Sequence, residues 1–354
     1  MQVYRNDFYA LEIDEAPLAL TYRTAPGDVD HTVVGPKLPV DGVDVEPRLS
    51  ALTTIEAEPN AAAREIVVRG QYTAVEGLSL DLRLLVTESS PILRLSFRAV
   101  SSAGHALTNG PDGNRLDYLR FAVPDDSGVT EVRFSEFNEL LHSFCLSENP
   151  VHPEAFADGQ SRMGPMLACE TDSDSFLVAY EHGSEYPDAF IEFRLSADRT
   201  VAISARKGNY VHEQPLSDGF DSVWFQFGAV PGSIEDLAAS YREFQLRSAT
   251  PNVESRRPYI FYNTWAYQER NKWWNGNAYL DSMNHDRILA EIDIAHRMGI
   301  EVFVLDTGWY EKTGDWTVSS ERFPDGLAGV REALESRGMK LGLWFNPRAA
   351  AVSS

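Results

Sequence analysis

Indoles paired with a carboxylate or an amide recur three times toward the end of the chain: Asn263-Thr264-Trp265, Asp306-Thr307-Gly308-Trp309 and Trp344-Phe345-Asn346-Pro347. A pyranose is served by such a pairing, because its C–H face lies on an indole while a carboxylate or amide reads its hydroxyls. A lone Trp is ordinarily packing, and a lone Asp a turn or a cap. Three segments that share the pairing, each at the end of a strand-like run, point instead to one recognition site. A further aromatic stretch, Trp265–Trp274 with Lys272-Trp273-Trp274, is costly to expose in a polar loop. It divides between a sugar subsite, a subunit contact and plain packing.

Other chemistries find little support. His31, His105, His142, His152, His182, His212, His285 and His296 are scattered, with no HxxxH or HExxH pair to put two imidazoles on one helical face. No metal and no cofactor is therefore expected. Glycine-rich phosphate loops are absent, and Ser90 and Ser319 lack a nucleophile-elbow context. Cys145 and Cys169 form neither a CxxC pattern nor a disulfide framework. The 354 residues carry 31 Lys and Arg against 53 Asp and Glu, a net charge of −22. That field repels phosphate backbones and anionic lipid, so neither nucleic acid nor membrane is an expected partner. No apolar run approaches the roughly 20 residues that span a bilayer. The opening MQVYRNDFYALEIDEAP has acids where a signal peptide would be apolar, so a cytoplasmic location is expected.

The elements that must carry these residues come in two rhythms. Up to about residue 230 the period is two: Leu80, Leu82, Leu84 and Val86 alternate with Asp81 and Arg83, and Leu93, Leu95, Phe97 and Ala99 with Arg94, Ser96 and Arg98. Phe176–Tyr180, Ala189–Leu195, Val201–Ala205 and Val223–Gly228 are further short β-type runs. Turn clusters such as Pro111-Asp112-Gly113-Asn114 and Asp125-Asp126-Ser127-Gly128 separate them. Residues 1–232 thus read as an antiparallel β-sandwich.

Beyond Pro231 the period lengthens. Ser233 can cap a helix whose Ile234, Leu237, Ala238, Tyr241 and Phe244 lie at helical spacing, predicting an amphipathic helix over about 233–246. A polar connection through Arg257 completes a helix-and-linker segment, 233–257. After it, Tyr259–Trp265 reads as a strand, and an irregular loop is expected through Asn284. A helix marked by Ile288, Ile292 and Ala295 stops at Gly299, with Asp281, Asp286 and Asp293 as a solvated face. Glu301–Leu305 is an apolar strand expected to be covered on both faces. A helix marked by Leu327, Val330 and Leu334 ends near Gly338, and Lys340–Phe345 is a third strand. Strand–helix–strand–helix–strand is a pair of βαβ units. In a parallel barrel the functional ends are the C-terminal ones, where the indole pairs fall. The fold expected is multidomain, β plus α/β: a sandwich, then in 258–354 the first three strands of a (β/α)8 TIM barrel.

Five segments in order sharpen this. Asn263-Thr264-Trp265, Phe303–Tyr310, Gly314-Asp315-Trp316, Phe323–Leu327 and Gly342–Pro347 together resemble the start of the catalytic barrel in α-galactosidases of glycoside hydrolase family 36. The resemblance covers Pro258–Ser354 closely, apart from a longer first loop, and the β-rich first part suits that family's N-terminal sandwich. It implies a retaining α-glycosidase, in which one carboxylate attacks the anomeric carbon while a second, about 5–5.5 Å away, protonates the leaving oxygen. Trp265, Asp306 and Trp344 map onto the family's sugar-recognition positions, with Thr307 and Trp309 as further substrate-binding candidates. An oligosaccharide or glycoside is the implied substrate, and a homo-oligomer the implied assembly. Two positions depart: Thr307 stands where the family usually has a second Asp, and Asn346 where it usually has Glu. A hydroxyl accepts hydrogen bonds less strongly than a carboxylate, which suits a modified sugar or a lost activity.

A complete eightfold barrel takes roughly 250 residues, whereas Pro258–Ser354 holds three strand candidates. By the resemblance the nucleophile follows the fourth strand in a Lys-Trp-Asp context and the acid follows the sixth, and no Asp follows Asp325. No catalytic residue is therefore assigned on this chain; both are expected beyond Ser354, and the chain alone is expected to be an inactive portion. The alternatives are a non-catalytic carbohydrate-binding protein, or a subunit whose barrel another chain completes.

Overall fold

The structure is a computed structural model describing residues 1–25, 29–56, 63–138, 143–181, 190–206, 213–250 and 252–346. Ala189, Pro347, His142, His182 and His212, named above, lie outside the described residues. The chain divides into two compact units, Met1–Pro251 and Asn252–Ser354.

Alternation of apolar and polar residues builds the first unit. Strand Leu78–Val86 pairs antiparallel with Ile92–Ser101, Leu84 opposite Leu95 and Leu82 opposite Phe97. Leu78, Leu80, Leu82 and Leu84 are buried while Asp81 and Arg83 lie on the other face, as a two-residue period dictates. These strands belong to a ten-stranded sheet, and an eight-stranded sheet forms the second layer. One apolar core draws on both: Tyr9, Tyr22 and Phe193 from the eight-stranded sheet meet Leu80, Phe97, Phe176 and Phe227 from the other. All the sheet pairings described in this unit are antiparallel, giving the sandwich. A polar link also crosses the layers. His31, on strand Asp30–Val34 of the eight-stranded sheet, meets Asp174, which opens strand Asp174–Tyr180 of the ten-stranded one, at 2.5 Å.

Helix Ile234–Phe244 starts as expected, with the Asp236 carboxylate accepting from both the amide and the hydroxyl of Ser233. Leu237 and Phe244 are buried with Ile92, Met166 and Leu177, so the helix packs within the first unit. Its last turn widens into a π-type turn over Gln245–Ala249 instead of stopping.

Three parallel strands make the sheet of the second unit: Phe261–Asn263, Val302–Leu305 in the centre, and Lys340–Leu343. Helices His285–Arg297 and Ala328–Glu335 follow the first and second strands. The Asn284 side chain accepts from the amide of Arg287 at one end of the longer helix, and Gly299, at φ +76°, follows its other end. Ile288, Ile292, Ala295, Phe303, Leu305, Val330 and Leu334 form the core. The central strand departs from the expectation of two covered faces: Phe303 and Leu305 are buried, Val302 and Val304 only half-buried. Helices His285–Arg297 and Ala328–Glu335 share their core with Phe303 and Leu305, which leaves the valines less covered.

The stretch expected as an irregular loop begins instead with a helix, Trp265–Asn275. Its sequence hides it, because the residues it buries are Gln268 and Asn271, so no apolar stripe marks the period. Gly276, at φ +69°, ends it by donating to the Asn271 carbonyl.

Candidate functional site

The C-terminal ends of the three parallel strands bring the indole-and-acid segments together. Trp265, Asp306 and Trp344 line one cleft of about 540 Å³ with Phe261, Tyr262, Asn263 and Ala266. The first strand runs straight into Asn263, whose two side-chain atoms do separate work. Its amide nitrogen donates to Asp306 Oδ2 at 2.9 Å, and its oxygen accepts from the Trp265 backbone amide at 2.8 Å. Asn263 therefore ties the carboxylate and the indole-bearing helix to one strand end.

Asp306 is 3% exposed. Its Oδ1 accepts from the Thr307 amide at 2.7 Å and from the Thr307 hydroxyl at 3.1 Å. Its own amide donates to the Thr264 hydroxyl oxygen at 2.9 Å. That hydroxyl donates to Gln268 Oε1, and Gln268 Nε2 donates to the Thr307 carbonyl at 2.7 Å. The closed circuit explains why a helix buries a glutamine: it satisfies backbone and hydroxyl groups behind the carboxylate. Gly308 follows at φ +106°, where a Cβ would stand 2.6 Å from Leu280, so the turn that holds this carboxylate needs glycine.

The indoles divide. Trp265 is 46% exposed and Trp344 37%, leaving ring surface open in the cleft. Trp309 is 5% exposed and packs with Tyr310 and Trp316 in the core. It stands behind the cleft and does not line it, and its indole N–H donates to the Trp344 carbonyl at 2.8 Å. Thr307 likewise lies off the lining, its hydroxyl turned to Asp306. Asn346 is exposed. Trp273 and Trp274 stand open on the helix, Trp273 donating to Glu269 at 2.6 Å, with Lys272 and Arg270 over the two rings.

Tyr279 was not singled out by the sequence pattern. Its ring meets Trp265 edge-on, centroids 5.2 Å apart. Burial first, then the charges of Asp306 and Glu269, push its hydroxyl well above the ordinary tyrosine range, so it stays protonated. Thr264 and Asn263 were visible in the Asn-Thr-Trp segment, although their bonding was not. Gln268 and Tyr279 had no signal beyond nearness to Trp265.

Recognition is what this arrangement can do. Asp306 is the one carboxylate lining the cleft among the described residues, and glycoside hydrolysis ordinarily takes two. No group of three or more His, Cys, Asp or Glu residues among those described could hold a metal ion. No described helix is long and apolar enough to cross a membrane.

The fold, a β-sandwich followed by parallel βα units, is similar to that of solved glycoside hydrolases. The α-galactosidase AgaB of Geobacillus stearothermophilus superposes with a TM-score of 0.67 at 15% identity, over 98% of this chain and 55% of that one. AgaA of the same organism, solved with raffinose, gives 0.66 at 15% identity over 98% and 56%. In sequence, residues 230–354 match the Melibiase family. α-Galactosidase 1 of Pediococcus pentosaceus is 32% identical over 341 residues, 87% of this chain and 42% of that protein. AgaA is 27% identical over 328 residues, with the same coverage. The chain is α-galactosidase-like, of the glycoside hydrolase family 36 type. It spans well under half the length of these two relatives.

Proposed function

We propose that this chain is the sandwich and the first three barrel strands of a retaining glycoside hydrolase acting on terminal α-galactosides or related α-glycosides. Trp265 and Trp344 wall the sugar, and Asp306 accepts hydrogen bonds from its hydroxyls. Trp309 and Thr307 act one layer back: the first holds the Trp344 backbone, the second holds Asp306. The observation that carries this reading is the single cleft shared by Trp265, Asp306 and Trp344. Asp306 is a binding group in it, because both oxygens are anchored by donors on its own unit. The nucleophile and the acid lie outside these 354 residues, on polypeptide that continues the barrel. A cytoplasmic homo-oligomer is the proposed setting.

The test has two arms. The 354-residue chain should bind galactose or raffinose without turning over p-nitrophenyl α-galactoside. A protein that carries this sequence and is as long as the relatives should release galactose from the same substrate. Failure of the longer protein on every α-glycoside would refute the hydrolase reading. A second reading, a non-catalytic saccharide-binding subunit, draws on the single carboxylate in the cleft and on Thr307 and Asn346. It predicts either binding without turnover at any length, or a heteromer by native mass spectrometry in which another chain completes the barrel.

A further inference from the structure

The first unit carries a pocket of its own, about 510 Å³, which the strand-end cleft does not use. Its polar wall comes from both sheets: Asp30, His31 and Thr32 on one, Asp174 on the other, with Thr171 and Ser173 in the turn before it. Phe121, Phe176 and Phe227 supply the apolar floor. The His31 side chain is 9% exposed and that of Asp174 2%. His31 Nε2 is held at 2.5 Å from Asp174 Oδ2, and the Thr171 hydroxyl donates to Asp174 Oδ1 at 2.8 Å. Burial pushes the Asp174 carboxyl up, but the hydrogen bonds from His31 and Thr171 win and hold it below its ordinary value. Nε2 is taken up by Asp174, which leaves Nδ1 as the ring nitrogen open to a further partner. Nδ1 has no hydrogen-bond partner among the described residues.

We propose that this pocket is a second saccharide-binding site, placed on the sandwich. An imidazole whose side chain is nine-tenths buried, held at one nitrogen and unpartnered at the other, presents that nitrogen to a ligand or water in the pocket. The carboxylates of Asp126 and Asp172 on the lining add acceptors around it. Asp30 is engaged by Arg23, so it adds shape more than free charge. An acceptor-rich wall excludes anions, as does the net charge of −22. It selects a ligand rich in donors, and the phenyl floor asks for a C–H face as well. A pyranose has both, and the volume falls within the range of small-ligand pockets, about 300–1,000 Å³.

Calorimetry on the 354-residue chain with raffinose and with galactose tests this, using three variants. Ser173→Trp places bulk at an exposed lining position and gives up only a hydroxyl contact to Thr171 and Asp174, His31→Phe removes Nδ1, and Trp265→Ala disables the strand-end cleft. The sandwich site predicts saccharide binding that persists in Trp265→Ala and weakens at least tenfold in Ser173→Trp. The same loss in His31→Phe, with circular dichroism unchanged, assigns the contact to the imidazole. If that variant unfolds, Ser173→Trp alone decides. Should the cleft reading be wrong, the wild type still binds one saccharide per chain, sensitive to Ser173→Trp and indifferent to Trp265→Ala. The proposal is overturned if all saccharide binding disappears in Trp265→Ala. It is equally overturned if no saccharide binds at tens of millimolar, or if putrescine binds here and saccharides do not.

Discussion

The two units place their aromatic residues in opposite ways. In the sandwich, Tyr9, Tyr22, Phe97, Tyr118, Phe176 and Phe227 are sealed between the sheets and touch one another ring to ring. Several of its carboxylates are matched by arginines that reach across an intervening strand, as in Arg94–Glu181, Arg115–Glu192 and Arg194–Asp117. In the parallel-strand unit, Tyr259, Phe261, Trp265, Trp273, Trp274, Trp344 and Phe345 remain exposed. Here uncharged buried groups, Thr264 and Gln268, circle one buried acid, Asp306, while a second, Glu291, pairs with Arg287. Rings that seal a core contribute stability. Rings left open at strand ends contribute contact surface, for a sugar or for more polypeptide.

The sharpest way to break this contrast is to remove one ring from each side. Phe97→Ala should cost the sandwich about 3–5 kcal/mol, as deletion of a sealed phenyl does, read as a lower denaturant midpoint. Trp265→Ala should leave the midpoint nearly unchanged while weakening saccharide binding at least tenfold in calorimetry. A large stability loss from Trp265→Ala would erase the distinction.

Asp174→Asn probes the polar link between the sheets and should cost about 2 kcal/mol, the scale of a buried hydrogen bond to a charged acceptor. The Asp174 carboxyl sits below its ordinary value in the fold, so its contribution is present above the unfolded-state value and fades as pH falls through the folded one. Wild-type stability should therefore drop on acidification in that window, and Asp174→Asn should flatten the drop. An unchanged acid limb in thermal melts would argue against the link.

Smaller effects belong to the carboxylate circuit. Asp306→Asn keeps an acceptor for the Thr307 amide but removes the charge, so saccharide affinity should fall roughly ten- to hundredfold, equivalent to about 1.5–3 kcal/mol. Thr307→Val removes the hydroxyl donor and leaves the amide, for a loss of only a few-fold, about 1 kcal/mol or less. If Thr307→Val were as damaging as Asp306→Asn, the hydroxyl would have to meet the sugar directly.

Much of this architecture was legible in the residues. Alternation of period two sets which side chains enter the core, since a one-residue slip would turn every leucine outward; Leu80, Leu82 and Leu84 are buried as their spacing requires. The Ser233–Asp236 start, the Asn284 cap and Gly299 mark helix ends through local hydrogen bonding and local torsions. Local chemistry of this kind needs no distant partner, which is why it can be read directly. Tertiary structure decided the rest. Trp309 and Trp344 occupy similar places at successive strand ends, yet one is buried and the other open, because the packing of Tyr310 and Trp316 closes over the first. Helix Trp265–Asn275 rests on buried amides whose partners, such as the Thr307 carbonyl, lie far along the chain, so it carries no apolar period. His31 and Asp174 stand 143 residues apart and meet only when the two sheets stack. Sequence spacing determined the elements and the residue types at their ends; which of those side chains share a cavity depended on long-range closure, which no local pattern encodes.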